Sequence, residues 1–317
     1  MNGFARTTIR RPLALIALAA LAPLLAACGG TRAAAGGAAG SPTATAASAP
    51  SASDPSGQPM PRATVPGWRR VFADNFTRTV PLGHFPAEVA STWGNTYPDG
   101  SKDTSKQGRY EPTKVVSIAN GVMNMYLHTQ HGIHMVVAAL PTIPGAHGSY
   151  GGMLYGRYVL RMRADFVPGY KIAILLWPDS GNWPTDGEID FPEADLDGPI
   201  LGFVHHQGGT TPNDQIEFPT TTTLEQWHTA TVTWLPTGIS FQLDGRVIGT
   251  AVARIPNTPM HLIIQAETTI GGAPTTNGPA GNIKIDWLTV DTPACNPSMS
   301  IAPHAAACAT GPLPTAS

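Results

Sequence analysis

Charge is scarce in this sequence. Charged residues make up 13% of its 317 positions and leave a net charge of −2. No basic stripe is present to neutralise phosphates, which argues against a nucleic-acid partner, and no run of like charges marks an interaction tail. Cysteine is rarer still, with three in the chain and no CxxC spacing, which argues against a structural zinc site. Sustained helical periodicity is also missing beyond the N-terminal segment, which disfavours a helical bundle. Glycine and proline are abundant instead, at 34 and 31 residues, as expected of short strands joined by many turns.

The N-terminus reads as an export signal. Arg6, Arg10 and Arg11 precede an apolar run from Leu13 to Ala27 that is too short and Ala-rich for a membrane span. The run ends in Leu25-Ala26-Ala27-Cys28-Gly29, which resembles a bacterial lipobox. That resemblance implies diacylglyceryl transfer to Cys28 and cleavage before it. The protein is then exported and held at the outer side of the membrane by its lipid anchor only, or, if an ordinary signal peptidase cleaves instead, secreted. Residues 1–27 are accordingly expected as a lipoprotein signal peptide. Residues 28–66 are nearly all Ala, Gly, Ser, Thr and Pro, too poor in apolar bulk for a core, and are expected as a flexible tether. A tail over 293–317 carries Cys295 and Cys308, for which a disulfide is the default in an exported chain.

Between them, residues 67–292 show period-two patterning. In the stretch from Tyr155 to Arg163, Arg157, Val159, Arg161 and Arg163 take one face while Tyr158, Leu160 and Met162 take the other. Val122–His128, Thr229–Trp234, Ile239–Leu243, His261–Ala266 and Ile283–Val290 also read as strands, and Asp244-Gly245 supplies a hairpin turn. The expected fold is all-β: one jelly-roll sandwich of two curved antiparallel sheets.

The chemistry concentrates between Trp183 and Gly198, where six acids crowd together: Asp186, Glu188, Asp190, Glu193, Asp195 and Asp197. On a regular strand Glu188 and Asp190 share a face while Glu193 points away. One extra residue in a bulge restores Glu193 to the same face, and Pro192 suits a bulge because it offers no ladder donor. Three carboxyls on one face repel one another and spread their titrations, an arrangement that suits a nucleophile paired with a protonated acid. Asp195 and Asp197 read as turn residues, since the EF-hand spacing is absent. His128, His131 and His134 flank a turn, with only His128 and His134 expected on a common face; exposed histidines are expected there rather than a metal site.

The run Glu188-Ile-Asp190-Phe-Pro-Glu193 resembles the E-x-D-x-x-E signature of glycoside hydrolase family 16. Trp177-Pro178, Trp183-Pro184, His205, Trp227-His228, Trp234, the Phe241-x-x-Asp244-Gly245 hairpin and Ile285-Asp286-Trp287 fit the same family in order. The resemblance covers about residues 68–290. It implies a concanavalin A-like fold with a concave cleft and retaining, endo-acting cleavage of a β-linked polysaccharide, most readily a β-glucan. By position it makes Glu188 the nucleophile, Asp190 the assisting acid and Glu193 the general acid/base. Trp183 and Trp177 are expected as sugar platforms, with Trp227, Trp234 and Trp287 in the core. His205 is expected to contact substrate on the leaving-group side, and Gln265, which shares a face with Glu267, to bind sugar hydroxyls. Asn95, Tyr97 and Arg109 are candidates for the cleft rim. The chemistry calls for no cofactor or metal, a structural calcium away from the cleft being left open. The only partner expected besides the anchoring membrane is the polysaccharide, acted on by a monomer. A transglycosylase on the same site and a lectin-like binder on the same fold stand as alternatives.

Overall fold

A computed structural model describes residues 54–63, 65–144, 146, 150–275 and 278–294. The signal segment, Cys28, most of the tether, and Cys295 and Cys308 lie outside the described residues.

Fifteen strands carry the fold: β1 (Trp68–Asp74), β2 (Gly108–Tyr110), β3 (Val116–Ala119), β4 (Val122–Gln130), β5 (Ile133–Ala139), β6 (Gly156–Ala164), β7 (Tyr170–Pro178) and β8 (Glu188–Asp195). They continue with β9 (Leu201–His205), β10 (Gln215–Pro219), β11 (His228–Leu235), β12 (Gly238–Leu243), β13 (Arg246–Ala251), β14 (Met260–Thr268) and β15 (Gly281–Pro293). The helices among the described residues are short: α1 (Ala90–Trp93), α2 (Pro112–Val115) and a 3-10 turn at Ala87–Val89. The strands run β10-β9-β8-β7-β14-β5 on one side and β4-β15-β6-β11-β12-β13 on the other, continuous through the β4–β5 hairpin. This is the expected all-β jelly-roll sandwich.

Alternation makes the sandwich. On β8, Ile189 and Phe191 are fully buried and Ala194 is nearly so. Phe191 stacks on Phe241 of β12 at 5.0 Å between ring centres. Gly202 on β9 lets the two layers approach, since a Cβ there would stand 2.8 Å from the Phe241 ring. Trp234 is buried as expected and its indole donates to the Pro256 carbonyl, and Trp287 is buried on β15. Trp227 is only half-buried and precedes β11. The β12–β13 hairpin turns at Asp244 (φ 50) and Gly245 (φ 81), the two positive φ angles that a tight Asp-Gly turn requires.

Two expectations are corrected. The tether does not run free to residue 66. The Ser56 amide donates to Asp286 Oδ2 at 3.1 Å, Arg161 donates to Ser56 Oγ, and the Trp287 indole donates to the Gln58 carbonyl. Residues from about 54 therefore lie along β6 and β15, because Arg161, Asp286 and Trp287 there need polar partners. Second, His134 is buried and shares a face with Thr129, whose Oγ1 lies 2.8 Å from its Nδ1. His128 pairs with Met135 instead, which puts it on the opposite face from His134. The turn at His131 (φ 51) and Gly132 shifts the phase between β4 and β5.

Candidate active site

The bulge lies where Pro192 suggested. Asp190 stands opposite Leu175 on β7 and Phe203 on β9, and Glu193 stands opposite Ala173 and Leu201. Strand β8 thus uses three steps where each neighbour uses two. The extra residue turns Glu193 to the side of Glu188 and Asp190 while Phe191 and Ala194 keep facing the core. All three carboxyls line one cleft of about 580 Å³.

The cleft has two unlike ends. Beside Glu188, Trp177 and Trp183 stack with ring centres 5.7 Å apart and planes inclined by 22°, and His205 meets the edge of Trp183 at 5.8 Å. Trp177, the last side chain of the buried run on β7, therefore faces the cleft. His205 Nε2 lies 3.7 Å from both Glu188 Oε2 and Asp190 Oδ2. It stands beside the expected nucleophile. The register sets this, since His205 pairs directly with Glu188 across β8–β9. Its Nδ1 donates to the Pro212 carbonyl at 3.1 Å, and burial lowers its pKa, so the neutral ring presents an Nε2 lone pair to the acids. His206 points away and pairs with Asp214.

At the other end Lys171 on β7 lies between two acids on its flanking strands. Its Nζ is 2.6 Å from Glu193 Oε1 and 3.6 Å from Glu267 Oε1 on β14. Burial alone would lower the Lys171 pKa, but Glu193, Glu267 and Asp190 outweigh it and hold the ammonium firmly protonated. Gln265 lies next to them, opposite Ala173, and lines the cleft. Tyr97 lines it as well. Asn95 instead donates to the Tyr150 carbonyl, and Arg109 is exposed outside the cleft lining.

The electrostatics follow from burial. Glu188 is 7% exposed and Asp190 2%. Burial, then the charge of Glu193, pushes the Glu188 carboxyl up to about 8, against opposing pulls from the Trp183 indole, Asp190 and Lys171. Trp183 Nε1 makes no ordinary hydrogen bond yet lies near enough to Glu188 to favour its anion. Asp190 is raised well above the usual carboxylate range by burial, then by Glu188 and Glu193. The Glu188–Asp190 pair therefore holds a proton. A buried carboxylate, a carboxyl beside it and a second Glu across the bulge can together attack an electrophilic carbon and pass a proton to a leaving oxygen.

Lys171 escaped the sequence reading although it carried a signal, as the one charge in the apolar run Tyr170–Pro178. Lys102 and Lys106 also line the cleft. They sit in a Ser/Thr/Asp-rich loop that reads locally as ordinary surface.

A sequence profile described as glycosyl hydrolases family 16 matches residues 113–289, more than half of the chain. No curated protein matches it. Among solved structures, it is similar to a non-specific endo-β-1,3(4)-glucanase of family GH16 (SCLam). They share 17% identity at a TM-score of 0.58, over 76% of this chain and 97% of that one. The catalytic domain of an endo-1,3-β-glucanase (laminarinase) from Thermotoga petrophila matches at 15% identity and TM-score 0.56, over 72% and 99%. A pseudo β-1,3-glucanase of Mycobacterium tuberculosis, an immunostimulatory antigen, matches at 20% and 0.54, over 70% and 98%. These likenesses establish the fold, while the profile spans β8 with Glu188, Asp190 and Glu193: the chain belongs to glycoside hydrolase family 16 and is a glycoside hydrolase.

Proposed function

We propose that this protein is an endo-acting, retaining β-glycanase acting on a β-glucan. The observation that carries this reading is the bulge in β8, which turns Glu188, Asp190 and Glu193 onto one cleft face beside the Trp177–Trp183 stack. Apolar sugar faces lie on such indoles, and polar groups such as Gln265 fix the hydroxyls. The β-glucan assignment draws support from the glucanase names of several structures with this fold.

In the first step the Glu188 carboxylate attacks the anomeric carbon and Glu193 gives its proton to the departing glycosidic oxygen. Water then displaces Glu188 as Glu193 takes the proton back. Asp190, sharing a proton with Glu188, bonds the nucleophile and releases it as charge develops. The productive state has the proton on Glu193 and the charge on Glu188. That state is self-reinforcing, because neutral Glu193 no longer raises the nucleophile's pKa. No cofactor enters these steps.

The test is release of reducing ends from a panel of β-glucans and galactans, with the first-formed anomer read by NMR. Wild-type protein yields the β anomer first, while Glu188→Ala and Glu193→Ala release nothing yet still bind polymer. Full activity in either variant sinks the assignment. Products longer than the substrate indicate transglycosylation, and binding without release by wild type indicates a lectin. We further propose that the chain is exported and acylated on Cys28, that residues 28–53 form the spacer, and that Cys295 and Cys308 pair. Incorporation of labelled fatty acid that is lost in Cys28→Ser tests the anchor.

A further inference from the structure

The chain has five lysines, and three of them, Lys102, Lys106 and Lys171, line this one cleft. In a sequence this poor in charge, such a concentration calls for a partner. Lys171 has its partners in Glu193 and Glu267. Among the described residues Lys114 pairs with Glu111, whereas Lys102 and Lys106 are exposed and make no ion pair.

The loop that presents them is firmly built. Asp103, fully buried, accepts hydrogen bonds from the Gly108 amide, the Thr268 amide, Thr268 Oγ1 and Ser105 Oγ at 2.6–3.0 Å. The Thr104 amide donates to Glu267 Oε2 at 3.2 Å. Lys106 sits at the turn in the left-handed region (φ 67), where its amide donates to the Asp103 carbonyl. A glycine would adopt that conformation more readily than a lysine. The loop is thus tied to β14 at Glu267 and Thr268, which puts both lysines on the cleft lining at the end that holds Lys171 and Glu193.

The charge at that end follows. Glu193 and Glu267 both reach Lys171, which lies between them. Two ammonium groups, those of Lys102 and Lys106, are left without an ion-pair partner among the described residues. Neutral sugar hydroxyls have no need of them; an anion does. Lysine serves as a point-charge ligand for carboxylate or sulfate, without the bidentate geometry that arginine imposes.

We propose that the Glu193 end of the cleft is a subsite for an anionic substituent on the polysaccharide, a ring carboxylate or a sulfate ester, with Lys102 and Lys106 as its ligands. The proposal rests on the glycanase reading above and narrows its substrate to acidic β-glycans.

The test compares full-length protein on a neutral β-1,3-glucan, the same polymer oxidised to carboxylate at C6, and the same polymer sulfated. Each is assayed at about 10 mM and about 0.3 M salt, where screening differs strongly. Wild type is expected to prefer one anionic form by about ten-fold in kcat/KM at low salt, with the preference shrinking at high salt. The arm that wins identifies the group. Lys102→Gln/Lys106→Gln should lower the ratio of anionic to neutral kcat/KM by about ten-fold. Equal cleavage of neutral and anionic polymers by wild type at low salt overturns the proposal, as does an unchanged ratio in the double variant. If no polymer is cut, the glycanase reading fails and affinity electrophoresis decides this one. Stronger retardation by the anionic polymers that is lost in the double variant supports it, and retardation equal to that by neutral glucan overturns it.

Discussion

Lys171 Nζ lies 2.6 Å from Glu193 Oε1, so the proposed acid/base of the cleft is held by a cation from the neighbouring strand, and Glu267 meets the same ammonium from the other side. Lys171→Met leaves both acids without a countercharge in a largely buried place. The side chains are 13%, 21% and 2% exposed for Lys171, Glu193 and Glu267, so a buried-pair cost of 3–5 kcal/mol is discounted here to about 2–3 kcal/mol. Burial already raises the Glu267 pKa, and loss of Lys171 raises it further, so the folded state takes up a proton and the loss shrinks as pH falls. Denaturant unfolding at about pH 5 and about pH 8 should show the larger deficit at the higher pH, with Lys171→Arg restoring most of it.

The nucleophile's titration is open to a direct measurement. With Glu188 pushed up to about 8 while Glu193 is charged, the acid limb of kcat/KM on a substrate whose leaving group needs no proton from Glu193 should lie well above that of an ordinary carboxylate. Glu193 is the second cause of that rise, so Glu193→Gln should move the limb to lower pH. A 2,4-dinitrophenyl oligoglycoside makes this visible, because its leaving group departs without a proton and the variant still reacts. An unmoved limb would show that the two carboxyls do not sense each other.

Trp183 carries two separable contributions. Its ring stacks on Trp177 at the aromatic end, and its indole N–H favours the Glu188 anion. Trp183→Ala should raise KM about ten-fold, given the worth of an aromatic contact and its buried area. Trp183→Phe should keep most of the binding yet shift the acid limb to higher pH, since a pull toward the Glu188 anion is gone. Equal KM values for the two variants would separate the ring from sugar binding.

The whole domain should also lose stability as pH rises above neutrality. Glu188, which burial raises to about 8, and Asp190, raised well above the usual carboxylate range, hold protons in the folded state that the unfolded state has lost. His134 and His205 are lowered and act with the opposite sign, but only at or below about pH 6.5, where a free imidazole titrates. Between about pH 7 and the Glu188 value near 8, unfolding free energy should fall by up to about 1.4 kcal/mol per pH unit for each proton still held. Asp190→Asn should flatten that slope, and chemical denaturation across the range measures it.

Much of this architecture is legible in the sequence alone. Strand alternation is local, because backbone chirality alone puts residues two apart on one face. Tyr155–Arg163 and Ile283–Val290 therefore announced β6 and β15, and the positive φ angles at Asp244 and Gly245 were implicit in the Asp-Gly pair. The bulge was readable for the same reason: Pro192 lacks an amide to give to a ladder, and three acids needed one face. What tertiary structure alone decided is which residues from distant segments meet there. Register between β7, β8 and β14 brought Lys171 to Glu193 and Glu267, and register between β8 and β9 put His205 against Glu188. The partners of Arg161 and Trp287 drew residues 56–58 out of the tether, and the turn at His131 buried His134. No local pattern encodes these pairings, because each is set by how many residues a neighbouring strand spends before the two come level. Glu188, Asp190 and Glu193 were therefore plain in the sequence, while the lysine that holds one of them and the two that extend the cleft's charge became visible only when the strands were side by side.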